Sequence, residues 1–343
     1  MRHPLRMLAF AAALLAAGAG SARACAFHTY APAPTVIDRI VAARDLVLAR
    51  PNTRNPFLYE VTDVLRGSAQ DALPMRIDTG APFDPSTSVL FARVPDDDWR
   101  EVAVIDAALR PVLEQAQTWG EDDKEARFEV FAALLDHPDP ALRTLALQEV
   151  DKVPYALLQS LDGQVPDAGL LAQNLWTRSG YATQPIRVLL LGLDGSDIAR
   201  AEIMGYLGEV SDDPQIGYLG AFATALVELD GVDGVAWLER RFFSRPDQPL
   251  GPVEQVVEAM AIHAGLGSEA LRARIGAAFD MLLNSQPAAA AGIARQFSSR
   301  SDWSQAERLD RVVADGKVKS SADFLPIAVY LAQAREGKLG SKG

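Results

Sequence analysis

Residues 122–161 constrain the fold of this 343-residue chain more than any other stretch. Asp122 and Asp123 can cap a helix whose apolar side carries Phe128, Phe131, Leu134 and Leu135. His137-Pro138-Asp139-Pro140 then stops that helix, because proline disfavours helical backbone in the residue before it. Asp139 can cap the next helix, with Pro140 at the first helical position, where its missing N–H has no partner to lose. Leu142, Leu145, Ala146 and Val150 give this second helix its own apolar face. Two short helices with facing apolar stripes cannot bury them alone, so they need neighbours of the same kind.

The wording Asp139-Pro140-Ala141-Leu142-Arg143-Thr144-Leu145-Ala146 resembles the second-helix signature of HEAT-type repeats. The resemblance implies an α-solenoid, and the chain beyond it offers helices at matching length. They are expected over 154–161, 170–176, 185–193, 198–207, 215–229, 235–243, 253–264, 269–283, 287–297, 303–313 and 322–335. Ser196 and Ser268 stand as caps before two of them. An arginine in the place of Arg143 does not return at a fixed period, so the repeat is degenerate.

Upstream, the hydrophobic period is that of strands. After a short helix capped by Thr35 come apolar or alternating runs at 46–49, 57–65, 75–78, 89–92 and 102–105. Polar turns rich in proline and glycine separate them. This order resembles netrin-like modules, the OB-type barrels also found in metalloproteinase inhibitors. The residues that carry the likeness are Cys25, the strand Asp45-Leu46-Val47-Leu48-Ala49-Arg50, the run Tyr59-Glu60-Val61-Thr62-Asp63-Val64-Leu65-Arg66-Gly67, and Ser88-Val89-Leu90-Phe91-Ala92. Cys25 is the one cysteine of the chain, so the family's other cysteines are missing and its inhibitor function is not carried over. The expected fold class is therefore α+β and mostly α. A small β-barrel-like domain at 25–105 precedes an irregular HEAT-like α-solenoid at 106–335, and 336–343 form a small polar tail. Residues 106–119 are expected to connect the two as a helix.

Residues 1–24 read as an export signal. Arg2, His3 and Arg6 form a charged start, 7–17 are continuously apolar, and Ala22-Arg23-Ala24 fits the small-x-small rule for cleavage. No segment matches the roughly twenty apolar residues of a transmembrane helix. The expected location is the periplasm. Formal charge is -12, and loss of the three arginines in the signal takes it to about -15. Such a surface repels phosphate backbones, and no basic stripe offsets it, which argues against nucleic acid as a partner.

Cleavage after Ala24 makes Cys25 the first mature residue, with His28 three positions on. Their thiolate, amine and imidazole suit Cu(I) or Zn(II), and a packed N-terminal plug uses the same residues without metal. Arg23 stands two positions before the cysteine, where a lipoprotein signal wants a small uncharged residue, so a lipid anchor at Cys25 is disfavoured. His137 in its proline turn reads as solvated or capping, and His263, among Val257, Met260 and Ala261, as a core or groove histidine. The acid clusters 96–98 and 121–123 lack the alternating spacing of a calcium loop. No G-x-S-x-G, P-loop or dinucleotide fingerprint is present. Trp176, Trp237, Phe242, Phe243 and Trp303 fall on or beside the helices as candidate protein-binding anchors, with core filling as their plainer role. The leading expectation is a non-catalytic periplasmic scaffold or adaptor that binds another protein on its helices. A metal-handling protein built on Cys25 and His28 is the alternative, and a hydrolase of unrecognised type stands third.

Overall fold

The computed structural model describes residues 32–76, 84–95, 97–120, 122–161, 163–210 and 217–340. The chain is mostly helical with one small antiparallel sheet. Among the described residues, helix α1 (Val36–Ala42) comes first. Thr35 caps it reciprocally: its hydroxyl accepts from the Asp38 N–H, while the Asp38 carboxylate accepts from the Thr35 N–H.

Four strands follow: β1 (Asp45–Pro51), β2 (Tyr59–Arg66), β3 (Ser88–Arg93) and β4 (Arg100–Ile105). Their spatial order is β2-β1-β3-β4, every pair antiparallel. Side chains alternate across a strand, and here both faces are covered at the centre. Leu46, Leu48, Leu90 and Ala92 join the main core, while Val47, Ala49, Val89 and Phe91 form a second cluster with Trp99. This explains why β1 and β3 read as continuous apolar runs. The expected strand at 75–78 is not seen at Met75 and Arg76, which carry no ladder, and 77–78 lie outside the described residues. Gly67 ends β2 with φ +69°, and a Cβ there would sit 2.1 Å from the Asp45 carboxylate, so only glycine fits.

The helices then run α2 (Leu109–Ala116), α3 (Lys124–Ala132), α4 (Pro140–Val150), α5 (Tyr155–Leu158), α6 (Ala168–Ala172), α7 (Gln184–Asp194) and α8 (Asp197–Glu209). After them come α9 (Leu219–Asp230), α10 (Val232–Leu238), α11 (Leu250–Leu266), α12 (Glu269–Ser285), α13 (Ala290–Ser299), α14 (Ala306–Ala314) and α15 (Ser321–Gly340). The Asp139 cap is made as expected: its carboxylate accepts from the N–H of Ala141 and Leu142. Ser196 and Ser268 cap α8 and α12 through the N–H of Ala199 and Leu271.

Packing runs through alternate helices. α4 touches α7, α7 touches α9, α9 touches α11, α11 touches α13, and α13 touches α15. α7 and α9 are buried nearly all round, from Ile186 to Leu191 and from Leu219 to Val227, as their unbroken apolar character requires. They approach closely at Gly192, where a Cβ would lie 2.7 Å from the Ala225 Cα. The expected helix at 170–176 stops early, because Asn174 turns left-handed at φ 59° and Trp176 sits on the following turn. The polar tail also differs: α15 continues to Gly340, through most of it. One apolar cluster extends from Ile37 to Ala334 and includes the inner face of the sheet.

Leu142 and Leu145 are buried in that cluster. Leu145→Ala should lower stability by about 2–5 kcal/mol, because removing buried methyls leaves a cavity. Chemical denaturation should show one shifted transition, and an unshifted midpoint would mean that the face is wrongly assigned.

Candidate functional site

The expected binding anchors separate into exposed and buried groups. Phe242 and Phe243 are 0 % exposed and cannot reach a partner, which corrects their expected role. They lie on a π turn (Glu239–Phe243) that packs against both α11 and α12, so two consecutive rings find apolar neighbours on different sides. Trp237 and Trp303 are half-buried, Trp237 beside Phe242 and Trp303 against Tyr330. Trp176 remains 52 % exposed. Cys25 and His28, the expected metal donors, lie outside the described residues. Among the described residues, no three His, Cys, Asp or Glu side chains converge as metal ligands.

Trp176 is held in place rather than dangling. Its ring stacks on Tyr206 at 5.3 Å and on Phe222 at 5.8 Å between centroids, with interplanar angles of 20° and 17°. Tyr206 and Phe222 stack on each other at 3.7 Å. The Trp176 Nε1–H donates to Glu202 Oε2 at 3.0 Å. Ile198, Glu202 and Tyr206 repeat at four along α8 and so share one face of it. Ile198 is itself exposed, which extends the apolar surface along that face. Tyr181, also exposed, lies against Tyr218 at 4.9 Å. Tyr206 and Phe222 escaped the sequence reading because their contact with Trp176 joins three separate elements.

Several titratable groups pair inside the fold. His263 is buried, and its Nε2 lies 3.0 Å from the Thr224 carbonyl oxygen. A carbonyl only accepts, so Nε2 carries the proton and Nδ1 faces Glu228 at 3.8 Å without a hydrogen bond. Burial pushes its pKa down against the opposing pull of Glu228, which keeps the ring neutral near pH 7. The Tyr155 hydroxyl donates to Glu228 at 2.9 Å, and burial with that carboxylate raises its pKa well above the usual value. The other described histidine, His137, accepts at Nδ1 from the Asp139 N–H at 3.1 Å.

A second charged group ties α1 to the first helix pair. The Glu149 carboxylate is almost fully buried and accepts from Arg127, from Lys152 at 2.6 Å and from the Thr35 hydroxyl. Asp38 on α1 accepts from Arg127 at 2.8 Å and Lys152 at 2.5 Å. Burial alone would raise the Asp38 pKa, but the hydrogen bonds from Lys152, Arg127 and the Thr35 N–H outweigh it and hold it at about 2. In the sheet, Asp45 is also held at about 2, first by the Ser68 N–H, against burial, and with Arg44 and Arg93.

Both carboxylates bind protons less readily in the folded protein than at the usual value of 3.8. Their stabilisation is therefore complete above that value and lost as pH falls towards about 2. Thermal midpoints should drop steeply across this acid range, and Asp38→Asn should start lower at neutral pH and show a shallower drop. Equal slopes in the variant and the parent would remove Asp38 from the account.

No protein-family model, no curated protein sequence and no solved structure matches the chain.

Proposed function

We propose that this protein is an exported, non-catalytic scaffold or adaptor that binds another protein through its helical surface. The observation that carries the reading is Trp176, a large aromatic side chain left half-exposed yet fixed by two stacked rings and a hydrogen bond. A ring already locked in one orientation loses little side-chain freedom on binding. Tryptophan is also among the residues that most often dominate protein interfaces. Ile198 on the same face of α8 supplies adjoining apolar area.

The rest of the proposal concerns architecture and location. The packing of α7, α9, α11, α13 and α15 in series, with α8, α10, α12 and α14 between them in the chain, supports a HEAT-like solenoid. The head is then an OB-like module placed before the array, and the charged, apolar and small-residue pattern of 1–24 directs export to the periplasm. Among the described residues no helix is long and apolar enough to cross a membrane.

Immobilised protein exposed to periplasmic extract should retain a specific partner. Trp176→Ala should weaken that capture by roughly thirtyfold, about 2 kcal/mol, with Trp176→Phe intermediate. Circular dichroism of both variants should match the parent. Equal capture by parent and alanine variant would remove Trp176 as the anchor.

A further inference from the structure

About half of the arginines among the described residues have carboxylate partners. Arg93, Arg127, Arg200, Arg274, Arg295 and Arg308 each pair with at least one Asp or Glu. In an acidic chain, with 45 Asp and Glu against 33 Lys and Arg, that is the expected state. Arg143 on α4 and Arg187 on α7 are two of the described arginines that pair with no carboxylate. They line the same cavity of about 290 Å³, together with Thr144, Asn174, Ser179 and Thr183.

Main-chain oxygens hold both guanidinium groups in position. Arg143 Nη1 donates to the carbonyls of His137 at 2.7 Å and Pro138 at 3.0 Å. Arg187 Nη2 donates to Leu170 O at 3.3 Å and to Gln173 O. Carbonyls orient a cation but cannot neutralise it. Arg187 is only 8 % exposed, and its Nε is buried with no hydrogen-bond partner. Burial lowers its pKa, and the Arg143 charge lowers it further, a sign that the two cations repel each other across the cavity. Arginine nevertheless stays ionised at any physiological pH. Thr183, which precedes α7, adds the partial positive charge of a helix start to the same wall.

We propose that this cavity binds a small dianionic ligand whose oxygens bridge Arg143 and Arg187. Two unbalanced positive charges call for two negative ones. Guanidinium forks are suited to carboxylate and phosphate oxygens. Leu135, Leu147 and Leu171 on the same walls leave room for a short hydrocarbon portion. The volume is at the small end for ligand sites, which restricts the class to phosphomonoesters and short dicarboxylates. This site is independent of a partner at Trp176.

The test is calorimetry and thermal melting of the full-length protein with inorganic phosphate, succinate, acetate or sodium chloride at matched ionic strength. Phosphate or succinate should bind and raise the melting temperature, because a ligand that binds only the folded state stabilises it, while acetate should bind more weakly. A response to phosphate alone assigns the phosphomonoester class, and a response to succinate alone assigns the dicarboxylate class. Arg143→Gln should weaken binding by about tenfold or more, the loss expected for hydrogen bonds to a charged group. Arg187→Gln should abolish it. Should the buried Arg187 variant fail to fold, the half-buried Arg143 variant decides. The proposal is overturned if neither dianion exceeds chloride, or if Arg143→Gln binds as tightly as the parent.

Discussion

A buried carboxylate with two cations around it holds this structure together at its joint. Glu149 sits near the end of α4, almost fully out of water, where an unpaired charge would be very costly. Arg127 from α3 and Lys152 from the turn after α4 neutralise it, and the same two cations reach Asp38 on α1. Thr35 donates its hydroxyl to Glu149 while capping α1. The helix that leads into the sheet is thereby locked to the first helix pair. The apolar cluster from Ile37 to Ala334 runs past that joint. Removing one member would leave the others charged and buried, so the network acts as a unit.

Charge pairing also closes several buried groups on themselves. The Asp45 carboxylate with Arg44, Arg93 and the Ser68 N–H is complete in itself and fixes the start of β1 against the turn at Gly67. His263, Tyr155 and Glu228 are likewise satisfied internally, with a neutral imidazole turned to a backbone carbonyl. A fixed tryptophan at the surface and two guanidinium groups without carboxylates stand apart from these internal pairs. The turn between α6 and α7 contributes to each: Trp176 rises from it, and Asn174 and Ser179 line the arginine cavity.

Local chemistry was legible in the sequence, and long-range chemistry was not. Asp139 with Pro140, Ser196 and Ser268 all cap where their short-range hydrogen bonding places them. β1 and β3 were visible as apolar runs, because a strand covered on both faces needs no alternation. Helix 170–176 was overextended, since nothing apolar marks the left-handed turn at Asn174. Phe242 and Phe243 could not be sorted from Trp176 by composition: exposure depends on which helices lie opposite, and a π turn breaks the helical period. The arginine cavity joins α4 to α7, and the Asp38–Glu149 group joins α1 to α4. Such pairs exist only once the chain is folded, although Arg143 was already notable within its HEAT-like wording.

The central claim is that partners dock on the face built by Trp176 and α8. Site-directed photo-crosslinking in intact cells tests it most directly, with benzoylphenylalanine introduced one position at a time. Positions 181 and 198, exposed near the aromatic stack, should each capture a discrete protein of the same mass. Position 104, equally exposed on the edge strand β4, should capture none. Discrete adducts at 104 with none at 181 or 198 would contradict the account.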